Sequence, residues 1–173
     1  MKSTLKIIIL LSSILISING KLIFKKIDCS ADSEWICLKQ CYVSETHALN
    51  VIGSIIKPLT NPFEIQFTLS KLDGSTSTLV FDTQIEWCSF MNGNGNNPIF
   101  TQLVAIIKNV LPKLIHECPY CGDFEVKNLK FDEAMNLAAS AFFPIGELKV
   151  ETGLLIQDSS IFNLTIIIES KLF

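Results

Sequence analysis

Apolar residues recur at every second position over most of this chain, and that period leaves few folds open. Phe63, Ile65, Phe67 and Leu69 alternate with Glu64, Gln66, Thr68 and Ser70. Asp73-Gly74 follows, a favoured hairpin turn. The return strand places Leu79, Phe81, Thr83, Ile85 and Trp87 on one face and Asp82, Gln84 and Glu86 on the other. Leu148, Val150, Thr152, Leu154 and Ile156 repeat the pattern, Asp158-Ser159-Ser160 turns the chain, and Phe162, Leu164, Ile166 and Ile168 return. Weaker strand signals cover residues 22–29, 37–56 and 124–131. One stretch breaks the period. From Pro98 to His116 the apolar positions are 99, 100, 103, 104, 107, 110, 111, 114 and 115, which is helical spacing. Asn97 suits the N-cap and Pro98 the first helical position, while Pro112 should kink or end the helix. The pattern predicts an all-β sandwich of about seven antiparallel strands with one inserted helix, about 98–116.

The N-terminus sets the compartment. Lys2 and Lys6 precede an apolar run over residues 7–18, and Asn19-Gly20 offers a small residue for cleavage. Such a run rises about 18 Å as a helix, short of a bilayer core of roughly 30 Å. Residues 1–20 read as a signal peptide, with no transmembrane span, and residues 21–173 as one secreted, extracellular domain. An oxidising compartment makes Cys29, Cys37, Cys41, Cys88, Cys118 and Cys121 candidates for disulfides. Six cysteines allow fifteen connectivities, and the sequence alone does not choose. Cys29 and Cys41 flank a short polar stretch able to turn a hairpin, and Cys88 and Cys118 bracket the helix. Cys37 and Cys121 remain as a third pair. Asn163-Leu-Thr165 is an N-glycosylation sequon whose asparagine falls opposite Phe162 and Leu164.

Composition removes several functions. The net charge is −3, two of the lysines leave with the leader, and the sequence contains no arginine. An acidic surface without bidentate cations disfavours nucleic acid. His47 and His116 show no metal-binding spacing, so no metal or cofactor is expected. Cys118-Pro-Tyr-Cys121 has the spacing of a redox dithiol, but it follows a helix, where the dipole is wrong for a thiolate. Ser44, Glu45 and His47 do not form a triad, because alternation separates the serine from the other two. Gly93 and Gly95 lack the ending of a phosphate loop. No catalytic constellation emerges, and the chain is expected not to be an enzyme.

The order of these features resembles a known family. Leader, Cys29, Cys41, Lys57-Pro58, Glu86-Trp87-Cys88-Ser89-Phe90, Asn97-Pro98 and its helix, Cys118-Pro119-Tyr120 and Phe143-Pro144-x-Gly146 follow one another across residues 22–173. This looks like a large insect family of secreted domains of unknown function in the ML lipid-recognition superfamily. Relatives there include the ganglioside activator, the lumenal Niemann–Pick type C sterol carrier and mite group 2 allergens. The resemblance implies an immunoglobulin-like sandwich whose sheets splay around a hydrophobic ligand. It maps the four family cysteines onto Cys29, Cys41, Cys88 and Cys118, with Cys37 and Cys121 outside the pattern. Similarity of some relatives to chemosensory accessory proteins suggests a scent or contact-cue lipid. The expected partner is a lipid, sterol or terpenoid-like molecule between the sheets, lined by Phe67, Leu69, Phe81, Ile85, Trp87, Val150, Leu154, Leu164 and Ile166. Phe100, Leu103 and Ile107 are expected near a mouth. The alternative is an extracellular module that binds a receptor or membrane-surface partner without a lipid.

Overall fold

The structure, a computed structural model, describes residues 20–60, 62–94, 97–131 and 143–172. The expected leader therefore lies outside the described residues, except Gly20, as does Gly95 of the glycine-rich approach to the helix. Eight antiparallel strands build an immunoglobulin-like sandwich: β1 (Gly20–Ala31), β2 (Ile36–Val43), β3 (Leu49–Leu59), β4 (Glu64–Asp73), β5 (Thr76–Glu86), β6 (Tyr120–Leu129), β7 (Gly146–Ile156) and β8 (Ser159–Leu172). One sheet runs β1-β8-β7-β4-β5 and the other β2-β3-β6. The expected count of about seven falls short because residues 37–56 are two strands. Ser44 to His47 turn the chain between them, with Ser44 N–H donating to the Ala48 carbonyl and His47 at φ 59°. The return into β8 turns on Gln157 and Asp158, both at positive φ, rather than on Asp158-Ser159-Ser160.

Between β5 and β6 lie a single helical turn α1 (Trp87–Ser89), a π-type turn Phe90–Asn94 and the helix α2 (Pro98–Val110). Asn97 caps α2, its Oδ1 accepting from Phe100 N–H at 3.0 Å. The helix stops well short of 116. Leu111 leaves the helical region (φ −129°, ψ 63°), because the ring of Pro112 disfavours α geometry in the residue before it.

Alternation places the inner faces as the sequence reads, with one exception. Across the large sheet the inward rows are Ala31–Phe162–Leu154–Ile65–Ile85, then Cys29–Leu164–Thr152–Phe67–Thr83. They continue through Ile27–Ile166–Val150–Leu69–Phe81 to Phe24–Ile168–Leu148–Lys71–Thr78. A bulge in the β4–β5 ladder after Leu69 shifts the register, so Leu79 does not continue the inward face and is 62% exposed. On the small sheet Gly53 must be glycine. A Cβ there would lie 2.5 Å from Cζ of Phe124 and 2.8 Å from the Cys37 carbonyl oxygen. The ring could tilt, but the carbonyl belongs to the β2–β3 ladder. Gly53→Ala is expected to cost about 1–3 kcal/mol as overpacking, whereas Gly153→Ala, with its nearest contact at 3.5 Å, should stay within about 0.5 kcal/mol of the parent when both lack a glycan. Urea midpoints of the two variants check this contrast.

Two disulfides join the sheets: Cys29–Cys41 and Cys88–Cys118. The first does not close a hairpin, since β1 and β2 lie in different sheets and the bond spans the gap between them. The expected third pair is absent, and Cys37 and Cys121 are exposed free thiols. Geometry forbids that bond. Cys37 faces Ser54 on β3, and Ser54 faces Asp123 on β6, so a whole strand separates the two cysteines. Two strand spacings amount to about 9.6 Å, beyond the roughly 7 Å that a disulfide can span between Cα atoms. The Cys118-x-x-Cys121 pair is likewise no dithiol, because Cys118 is bonded to Cys88.

Candidate apolar binding site between the sheets

The interior divides into two apolar clusters that meet at Phe67, Leu164, Cys29, Leu38 and Phe124. Of the residues expected to line a ligand, Leu69, Phe81, Val150 and Ile166 belong to the first. Ile85, Trp87, Phe100, Leu103, Ile107 and Leu154 belong to the second. Phe67 and Leu164 touch both. All twelve thus lie in or against these two clusters, though not at one end of the sandwich.

The end holding the second cluster is packed around buried aromatic rings. Trp87 packs against Phe90, Phe100 and Tyr120 with ring centroids 6.0, 6.1 and 6.3 Å apart, and Phe63 meets Tyr120 edge-on at 5.9 Å. Trp87 and Phe100 are each 3% exposed. The Cys88–Cys118 bond lies at the same end, where Phe100 and Val104 of α2 join the cluster. Phe100 therefore belongs to a plug and does not open on solvent. Tyr120 is pinned here too: its O–H donates to the His116 carbonyl, and burial pushes its phenol above the ordinary value.

Local chemistry explains the Glu86-x-Cys88 spacing. Glu86 caps α1, its carboxylate accepting from Cys88 N–H at 3.1 Å and Ser89 N–H at 2.6 Å. Burial pushes this carboxyl up, but hydrogen bonds from Ser89, Cys88 and Phe63 prevail and hold it below its usual 4.5. A lowered folded pKa means the cap stabilises fully above about pH 4.5 and fades as pH falls through the folded value. Glu86→Ala is expected to cost about 1 kcal/mol at neutral pH. The deficit should shrink on acidification, which melting curves from pH 7 to 3 would show.

The opposite end, where the β4–β5 and β2–β3 turns lie, is less complete. Phe81, Leu111, Leu114, Phe131 and Phe143 pack on the first cluster yet remain partly exposed. Leu79, Val80 and Ile145 are largely exposed on β5 and before β7. Phe131 stacks on Phe24 with centroids 4.4 Å apart, and His47 Nδ1 lies 3.1 Å from the Phe24 carbonyl oxygen. One cation faces inward here. Lys71 stands in the row of Leu148 and Ile168, half-buried, with its Cε 3.3 Å from where a Cβ of Gly146 would sit. Glycine at 146 leaves room for the lysine stem.

The sequence reading missed Lys71, although the count 63, 65, 67, 69 continues to 71. It also assigned Leu111 and Leu114 to a helix that ends before them. Two open grooves mark the surface. One of about 300 Å³ crosses the outer face of the large sheet at Gly153, and one of about 320 Å³ lies beside Glu86, Phe90 and Asn97. Among the described residues no group of three or more His, Cys, Asp or Glu side chains is arranged to hold a metal ion. No helix among them is long and apolar enough to cross a membrane.

Among solved structures, the crystal structure of chicken MD-1 complexed with lipid IVa is similar at 10% identity. The match covers 89% of this chain and 92% of that one, with a TM-score of 0.33. The superposition is loose, and the functional reading rests on this chain's own residues. No curated protein matches the chain. Residues 63–150, from the start of the β4–β5 hairpin through both helices and β6 into β7, match a family described as "Protein of unknown function (DUF1091)". That match covers just over half of the sequence, and the chain belongs to this family.

Proposed function

We propose that this protein is a secreted carrier that binds an apolar molecule between its sheets, without chemical turnover. The observation that carries the reading is the contrast between the ends of the sandwich. One is plugged by Trp87, Phe100 and Tyr120 behind a disulfide; the other keeps Phe81, Leu114, Phe131 and Phe143 partly exposed beside Leu79, Val80 and Ile145. A ligand entering there would cover apolar surface at about 25 cal/mol per Å². The inner face of the large sheet below it is apolar apart from Thr152, Thr83, Thr78, Ser170 and Lys71. Lys71 at that end is placed to orient a polar or acidic head while the body lies against Leu69, Val150 and Ile166. Two disulfides suit an oxidising, extracellular compartment.

Native mass spectrometry of the chain secreted from insect cells, followed by organic extraction, tests this reading. A stoichiometric adduct lost on denaturation is the expected result. Lys71→Met should weaken fatty-acid uptake by about tenfold, the size of one charge-assisted hydrogen bond, and leave sterol uptake unchanged. A second reading, a protein-interaction module, is favoured by Leu79 and Val80 on the outermost strand of the large sheet. A clean mass with no uptake from a lipid mixture would select it.

A further inference from the structure

We propose that Asn163 carries an N-linked glycan whose first N-acetylglucosamine seats in the groove over Gly153, independently of what lies between the sheets. The chain has a single Asn-x-Ser/Thr sequence, Asn163-Leu164-Thr165. Asn163 and Thr165 share the outward face of β8, and Asn163 is exposed. Outward positions Gln66, Gly153, Asn163 and Ser30 form one row across four strands. Thr68, Glu151, Thr165 and Asp28 form the next. Gly153 is the gap in this surface. Its missing side chain opens the groove of about 300 Å³ that Asn163 borders.

The glycine is not demanded by packing or by backbone conformation. A Cβ would meet Asn163 Oδ1 at 3.5 Å and Gln66 Cβ at 3.8 Å, both ordinary contacts, and its φ is not positive. What glycine supplies is space. The groove presents an amide, two hydroxyls and a carboxylate from Gln66, Thr68, Thr165 and Glu151, the groups that hydrogen-bond sugar hydroxyls and an acetamido N–H.

The Asn163 amide can turn toward the groove. Its Oδ1 accepts from Ser160 Oγ at 2.9 Å and its Nδ2 donates to Ser30 Oγ at 3.4 Å. Both partners are hydroxyls, which donate or accept. Turning the amide over keeps both contacts and exchanges the positions of oxygen and nitrogen.

The experiment secretes the full chain from insect cells and measures intact mass before and after enzymatic trimming to one N-acetylglucosamine. One glycan is expected, lost in Thr165→Ala. The trimmed protein should melt several degrees above Asn163→Gln, and Gly153→Ala should keep the glycan but lose most of that gain. A secreted chain unmodified at Asn163, or failure of the chain to be secreted, overturns the site. An equal gain in Gly153→Ala, or none in the parent background, overturns the seating.

Discussion

Replacing Cys88 and Cys118 together by alanine is expected to cost about 3–4 kcal/mol, the chain-entropy value for a loop of this length. The bond closes a segment of 30 residues that contains α1, the π-type turn and α2. It joins the end of the β5 segment in one sheet to the approach to β6 in the other. For a domain of this size the loss corresponds to a fall of roughly 10 °C in melting temperature. The double variant is needed because Cys88→Ala alone would free Cys118 three residues from the Cys121 thiol. Thermal melts and urea midpoints measure the effect. A loss under about 1 kcal/mol would mean that the Trp87 cluster confines the loop even in the unfolded chain. The counterpart is Cys37→Ser with Cys121→Ser, which should leave stability unchanged. Thiol titration of the denatured parent should count two free thiols per chain, matching the exposed pair.

The strands were legible in the sequence wherever one face meets the core and the other meets water. The β4, β7 and β8 registers follow directly from Phe63–Leu69, Leu148–Ile156 and Phe162–Ile168, because period two has one solution when one face is buried. Residues 37–56 were harder to divide, since the turn at Ser44 to His47 contains neither glycine nor proline, and His47 takes positive φ instead. Leu79 misled because a bulge is a property of two paired strands, and one strand read alone does not show it. The candidate site was legible as a set of inward residues and illegible as a shape. Phe81 and Phe100 are both phenylalanines on inward-facing positions, yet one lies at a partly open end and the other inside a plug. That difference depends on how β5, β6 and α2 meet. The same holds for the cysteines: spacing placed all six in one inventory, while strand order within the small sheet decides that two of them stay apart.

Leu164→Asp is expected to remove ligand uptake and several kcal/mol of stability together. Leu164 touches both apolar clusters, and its row neighbours are Cys29, Thr152 and Phe67. A carboxylate there has no cation in its row and none in the adjacent rows of the inner face. Burying it costs far more than the lost leucine contacts, unless it takes up a proton. Phe81→Asp should be milder. Phe81 stands opposite Leu69 on the outermost strand, with Lys71 two residues along β4, a diagonal distance of about 7–8 Å between Cα atoms. The new carboxylate can lean toward the lysine and toward solvent. The expected order of urea midpoints is therefore parent, then Phe81→Asp, then Leu164→Asp. Both variants should fail to take up ligand, one because the interior is charged and the other because the entrance is. Phe81→Leu supplies the control: it keeps the entrance apolar, so uptake should persist. A folded Leu164→Asp protein with undiminished uptake would place the ligand somewhere other than between the sheets. In that case the exposed edge at Leu79 and Val80 becomes the surface to probe, because two adjacent apolar side chains stand exposed there.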